Sequence, residues 1–355
     1  MIRPRINGEN TEFVVLCFEG PDPYSLAGGL GVRVNHLSSA LADRGFKTHL
    51  FFIGDPDRTG EEQRNGGRLV LHRWCQWISR HHPLGVYSGE EGKLFDFNGS
   101  IPAFVAERVI LPAIERQKRV VVLAEEWQTA EAVSRLGEEL EARGLRDRVV
   151  MFWNANNTFA FDRIQWGRLT RHATVTTVSR YMKHLMWKLG INPLVIHNGI
   201  PRRMLAALDT SRVQKVRRTF RAEMLVCKVA RWDPDKCWMA AVETVAILKS
   251  RGLSVTLLAR GGLEDYGARV LDHARACGLR VVTARTARTT TPGFLSALEE
   301  AGAADLVNVC CPLPLSFLRL MYRASDCVLA NSGHEPFGIV GLETMASGGV
   351  AFTGG

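Results

Sequence analysis

GHEPFGIVGLETMASGGVAF, residues 333–352, packs a turn, a helix and the start of a strand into one segment. Glu335 stands in the turn beside Pro336, and Glu343 follows on the helix with seven residues between them. An apolar run, DCVLAN (326–331), leads in, and another, GVAFTG (349–354), leads out. Strand, loop, helix and strand in that order are the repeating unit of a parallel sheet covered on both faces. A helix beginning near Gly338 offers its first N–H groups to an anion. The helical spacing sets the two carboxylates roughly 8–12 Å apart. That is too far for a shared proton or a single metal, and it suits two hydroxyl-bearing parts of one ligand with a phosphate between or beside them. The plain structural uses are a surface glutamate at 343 and a helix-dipole partner at 335.

The same rhythm extends through the chain. FVVLCF (13–18), THLFFIG (48–54), RVVVLA (119–124), RVVMFW (148–153) and ATVTTVS (173–179) read as buried strands. Helical stretches fall at 31–45, 103–117, 128–143 and 180–189. The rhythm pauses at VIHNGIPRRM (195–204), where Asn-Gly and Pro are turn chemistry. It restarts with MLVCKVA (224–230), LSVTLLA (253–259), LRVVTA (279–284) and DLVNVC (305–310). The fold class is therefore α/β, with two doubly wound domains over residues 1–198 and 199–355. GVAFTGG ends the chain as a strand with no covering helix, so the second domain is expected to be incomplete.

Composition narrows the function. Hydrophobic residues make up 46 % of the 355, enough for two real cores. No run reaches membrane-spanning length, and MIRPRINGENTEF has no apolar signal core, which points to the cytoplasm. The eight cysteines show no metal-binding spacing and read as free thiols in a reducing compartment. The net charge of +9 is dispersed, which leaves room for an anionic substrate or peripheral contact with an acidic membrane surface. Its densest patch, SRVQKVRRTFR (211–221), reads as a solvated helix face, and no aromatic-rich RNA motif accompanies it, so nucleic acid is not expected as a partner.

Ligands of doubly wound sheets bind outside the carboxyl ends of strands. Three loops there carry chemistry. PDPYSLAGGLGVRV (21–34) brings Gly28, Gly29 and Gly31 to a helix start, where bare backbone can approach a sugar or phosphate. It is not a dinucleotide fingerprint, and the alternative is an ordinary turn. VARWDPDKCW (229–238) sets Arg231 and Lys236 in one loop, a planar fork and a point charge suited to a diphosphate. The third loop is the opening segment.

In combination these residues resemble the family 4 retaining glycosyltransferases of GT-B fold, related to the glycogen and starch synthases. The paired glutamates around EPFG, the Arg…Lys loop, the AGGLG loop and the VSRYM and HNGI stretches follow the family order over nearly the whole chain. The resemblance implies two Rossmann-like domains facing a central cleft and a nucleotide-diphosphate sugar as donor substrate, with no cofactor and no metal. It makes Glu335, Arg231 and Lys236 the candidate catalytic groups. Glu335 would contact the donor sugar, Glu343 the ribose, and Arg231 and Lys236 the diphosphate. Pro336, Phe337, Gly338 and Ile339 complete the donor-binding set, with Gly28 and Gly29 approaching from the N-terminal domain. Glu125, Glu126 and Asn156 are candidate acceptor contacts, the acceptor being a glycan, a lipid or a small molecule.

Several features depart from the family pattern. Ala155 stands, among Asn154, Asn156 and Asn157, where many relatives carry a histidine, and His197 stands where a proline is common. A nucleotide-sugar-binding or regulatory protein on an impaired version of the fold is the rival reading. A phosphorylase is disfavoured because the last lysine is Lys249. Trp127, Trp153 and Trp166 could stack on sugars, although core packing is the commoner use. The oligomeric state is not legible.

Overall fold

The structure, a computed structural model, describes residues 5–262, 264–288, 290–301, 303–311 and 313–354. Met1–Pro4, which open the N-terminal stretch read above, and Gly355, which closes GVAFTGG, lie outside the described residues. The chain divides into two compact units, Met1–Gly199 and Ile200–Gly355.

Unit 1 is built on an eight-stranded sheet. Its strands are β1 (Thr11–Leu16), β2 (Lys47–Ile53), β3 (Glu61–Arg64), β4 (Leu69–Trp74), β5 (Arg119–Glu125), β6 (Val149–Ala155), β7 (Thr174–Thr177) and β8 (Leu194–Val195). The order is β3-β4-β2-β1-β5-β6-β7-β8. The central strands are apolar runs because helices cover both faces, and Val14, Val15, Leu16, Phe51 and Phe52 have no exposure. From β1 the chain builds outward through β2 and β4, then returns to add β5 on the other flank of β1. The switch point of this sheet therefore lies between β1 and β5.

Two features of unit 1 correct the sequence reading. The sheet is not wholly parallel, since β3 pairs antiparallel with β4. Asn65, Gly66 and Gly67, all at positive φ, make that hairpin turn. Secondly, the helix expected at 103–117 begins much earlier. It runs Glu90–Val105, widens through a π-helical turn Ala106–Ile110 and ends as Leu111–Glu115. Pro112 has no N–H to give to the preceding turn, so the hydrogen-bond ladder has to readjust there.

Unit 2 holds a six-stranded sheet of β9 (Met224–Val229), β10 (Val255–Arg260), β11 (Val281–Ala284), β12 (Leu306–Val309), β13 (Cys327–Ala330) and β14 (Ala351–Thr353). Every neighbouring pair is parallel, in the order β11-β12-β10-β9-β13-β14. One face is packed by Phe294, Phe317, Met321 and Tyr322. The other is packed by Trp232, Trp238, Val242 and Val270. The chain grows from β9 through β10 to one edge and then crosses back to lay β13 against the free side of β9. The switch point is between β9 and β13. The basic stretch forms the helix Thr210–Thr219, in which only Val216 is buried. No helix among the described residues is long and apolar enough to cross a membrane.

Candidate functional site

In unit 2 the loops after β9 and β13 emerge side by side at the switch point, and they carry the residues singled out from the sequence. The β9 loop is shaped by Asp233, whose carboxylate caps the short turn Pro234–Lys236, and by Cys237 at φ 51. The helix Trp238–Ser250 follows. The β13 loop runs to Gly338, whose φ of 80 turns the chain into the helix Ile339–Ala346.

The two loops are stitched together. Lys236 Nζ donates to Glu335 Oε2 at 3.2 Å. Asp235 accepts the backbone N–H of Gly333 on its carbonyl at 2.7 Å and that of His334 on its carboxylate at 2.9 Å. Glu335 also accepts from Ser332 Oγ at 3.1 Å and, on its other oxygen, from the Gly338 N–H at 3.2 Å. Arg231 is exposed, and its guanidinium has no hydrogen bond or ion pair among the described residues. Pro336, Phe337, Gly338 and Ile339 are half-buried around the start of the last helix.

Glu343 lies further along that helix, half-buried, with Tyr322 donating its hydroxyl at 3.4 Å. Burial raises its carboxyl above the ordinary range, against the lowering effect of the tyrosine. The structure thus brings Arg231, Lys236 and Glu335 to adjoining loops and sets Glu343 on the helix behind them. Sequence reasoning missed two cations here. Arg260 ends β10, next to β9, and Lys228 is buried inside β9 at 1 % exposure. Each is a single charge in an apolar run, which was the only signal available.

In unit 1 the glycine loop follows β1, and Glu125 and Glu126 end or follow β5, so they too meet at a switch point. The helix Gly29–Asp43 starts directly after Gly28. Part of its N-terminus is already occupied. Glu19, 4 % exposed, accepts the N–H groups of Gly28 at 3.0 Å and Gly31 at 2.9 Å. Tyr87 donates to the other Glu19 oxygen at 2.6 Å. A Cβ at Gly29 would meet nothing within 4 Å, and one at Gly28 would meet only Glu19 Oε1, at 4.0 Å. Glycine at these two positions is therefore not demanded by the packing of the unit itself. Gly31 is different, since its Cβ would meet Leu26 at 2.9 Å.

Glu125 and Glu126 face inward, at 1 % and 3 % exposure. Glu125 pairs with Arg33 at 3.0 Å and accepts from the side chains of Asn154 at 2.9 Å and Asn156 at 2.8 Å. Glu126 accepts the Asn156 N–H at 2.6 Å. Its carboxyl is pushed up to about 8, chiefly by burial and further by the Glu125 charge, against the pull of the Asn156 hydrogen bonds. Its backbone is at φ 71, a costly conformation for a residue with a side chain. Trp153, which is fully buried, and the half-buried Trp166 pack edge to face at 5.6 Å. Trp127 lines a pocket of about 100 Å³ with Leu94, Asn98, Gln128, Glu131 and Arg163.

Comparison with known proteins bears on the fold. No family model matches the chain. No curated protein matches it. Among solved structures, a sucrose-phosphate synthase from Thermosynechococcus elongatus superposes with a TM-score of 0.65 at 17 % identity, over 97 % of this chain and 81 % of that one. The catalytic domain of starch synthase IV from Arabidopsis thaliana, bound to ADP and acarbose, gives 0.60 at 14 %, over 97 % and 83 %. An E. coli trehalose-6-phosphate protein bound with UDP-2-fluoro glucose gives 0.57 at 14 %, over 96 % and 84 %. The architecture expected from the sequence, two Rossmann-like units of GT-B type, is the one found.

Proposed function

We propose that the chain is a retaining glycosyltransferase that moves a sugar from a nucleotide-diphosphate sugar to a glycan, lipid or small-molecule acceptor. Unit 2 is the donor-binding half in this reading, and unit 1 the acceptor half. One observation carries it. The loop with Arg231 and Lys236 and the loop with Glu335 leave adjacent parallel strands at the switch point of unit 2, where doubly wound sheets bind their ligands. Two structures of the same fold, solved with ADP and with UDP-2-fluoro glucose, support a nucleotide-sugar ligand.

Each group then has a task. Arg231, whose guanidinium is unengaged among the described residues, and Lys236 receive the diphosphate, and the start of the helix Ile339–Ala346 adds its positive end. Glu343, held by Tyr322, takes the ribose hydroxyls. Glu335, braced by Lys236, Ser332 and Gly338, accepts from the donor sugar. The bond from the sugar's anomeric carbon to the phosphate oxygen breaks, and the cations stabilise the negative charge that develops on the leaving diphosphate. The acceptor oxygen then attacks the same face of a short-lived oxocarbenium-like ion, and its proton passes to the departing phosphate. Gly28 and Gly29 leave the backbone at the start of the helix Gly29–Asp43 open to a ligand. Glu125, Glu126 and Asn156 shape the acceptor side from within, since the two carboxylates are buried.

A thermal-shift panel of nucleotide sugars tests the reading. A donor at a hundredfold excess over its dissociation constant stabilises the folded state by about 2.7 kcal/mol, a shift of a few degrees. The shift is expected to survive EDTA, because lysine, arginine and the helix do the neutralising. A panel with no shift for any donor contradicts the proposal. A shift lost with chelator and restored by magnesium or manganese contradicts its metal-independent form.

Ala155 favours a second reading, a binding protein that holds nucleotide sugar without turning it over. Slow donor hydrolysis in the absence of acceptor separates the two, since a pure binding protein releases no nucleoside diphosphate.

A further inference from the structure

Lys228 is the last buried residue of β9, one position before the strand's end, where an apolar residue would be expected. Its neighbours on β9, Leu225, Val226 and Cys227, are 0–4 % exposed, and Lys228 itself is 1 % exposed. Its ammonium makes no ion pair within 4.0 Å among the described residues. It donates instead to three acceptors at the end of β13: Asn331 Oδ1 at 2.8 Å, Asn331 O at 3.0 Å and Leu329 O at 3.4 Å. A lysine has three protons to give, so all are used. The Trp238 ring lies 5.4 Å from the same nitrogen. Burying a charge neutralised only by dipoles is costly, and an apolar side chain would fill the space without that cost. What the lysine supplies in exchange is a fixed position for Asn331.

We propose that Lys228 is a positioning residue of the donor site, holding from inside the sheet the backbone from which the Glu335 loop springs. The inference rests on the donor reading above. The chain of contacts is short. Lys228 fixes Asn331, the adjoining Ser332 donates to Glu335, and Glu335 in turn receives Lys236. The charged and titratable groups facing the ammonium are Cys227 on β9, Lys236 and Cys237 on the loop after it, and Glu335 on the β13 loop. Burial, the largest influence, brings the ammonium down to about 8, so the clamp loses its charge just above neutrality.

The experiment is calorimetry of UDP, ADP and GDP against the full chain, with the tightest of the three followed from pH 6.5 to 9.5. The unmodified protein is expected to bind evenly up to about 8 and more weakly above it. Lys228→Met, of similar length, is expected to bind about ten- to a hundredfold more weakly at pH 7, the loss of hydrogen bonds from a charged group. It is also expected to lose the decline above pH 8, which a merely structural lysine would not produce. Nuclear magnetic resonance on the unmodified protein covers the case in which the variant does not fold. The backbone amides of Ser332, Gly333 and Glu335 are expected to titrate together with a midpoint near 8. If the unmodified protein binds a nucleoside diphosphate but Lys228→Met matches it in affinity and pH profile, or if those amides do not titrate, the positioning role is overturned while the donor site stands. If the unmodified protein binds none of the three, the donor reading itself fails and takes this inference with it.

Discussion

Arg231→Ala is expected to weaken nucleoside diphosphate binding by about 2–5 kcal/mol, the range for truncating one partner of a charge-paired contact. Its guanidinium makes no hydrogen bond or ion pair among the described residues, so the variant strands no carboxylate there and the fold is expected to stay intact. Arg231→Lys restores only part of the loss, because a point charge cannot grip two phosphate oxygens as a planar fork does. Lys236→Ala is expected to cost a similar amount in binding and to slow turnover as well. It removes the cation 3.2 Å from Glu335 and releases that carboxylate from its brace. Calorimetry with the nucleoside diphosphate checks both variants. Unchanged affinity in the two would remove the diphosphate assignment from the β9 loop.

Glu126→Gln is expected to stabilise the protein at slightly alkaline pH. In the unfolded chain this carboxyl ionises near 4.5, and in the folded chain burial holds its proton until about 8. Between those values the folded state carries a proton that the unfolded state has lost. Stability therefore falls as pH rises from about 4.5 to about 8, and levels off above that. Glutamine keeps an oxygen for the Asn156 N–H and has no charge to bury. The variant and the parent are thus expected to be close in stability near pH 5, with the variant ahead by on the order of a few kcal/mol at pH 8. Urea unfolding at a series of pH values, followed through tryptophan fluorescence, reads the difference. A gap that does not widen with pH contradicts the assignment of a buried, proton-holding carboxyl.

The strands of both sheets were legible because parallel strands buried on two faces are written as continuous apolar runs, and FVVLCF and MLVCKVA are such runs. Strand β3 escaped because EEQR is polar and lies at a sheet edge, and β4 escaped because the apolar run of LVLHRW is only three residues long before His72 and Arg73. The helix from Glu90 escaped because Gly92, Gly99 and Pro102 interrupt its pattern, yet tertiary packing against the helix Ala130–Ala142 holds it. The loops carrying Arg231, Lys236 and Glu335 were legible as strand-to-helix loops because glycine, proline and charge cluster at those strand ends, whereas the tasks proposed for the residues come from the family resemblance. That the two loops are neighbours was not, since strand order is set by a crossover between distant segments. Lys228 and Glu19 were missed for a related reason. Each acts on a backbone group that only the folded chain brings within reach.

The most direct measurement follows a nucleotide sugar mixed with the protein by nuclear magnetic resonance, first without acceptor and then with candidate acceptors. Release of the nucleoside diphosphate, with the sugar initially in the donor's own anomeric configuration and the reaction abolished by Glu335→Gln, is the expected result. Donor that binds but is never consumed under any condition would leave a binding protein. Consumption that is indifferent to Glu335→Gln, or that inverts the anomeric centre, would contradict a retaining transferase centred on this pair of loops.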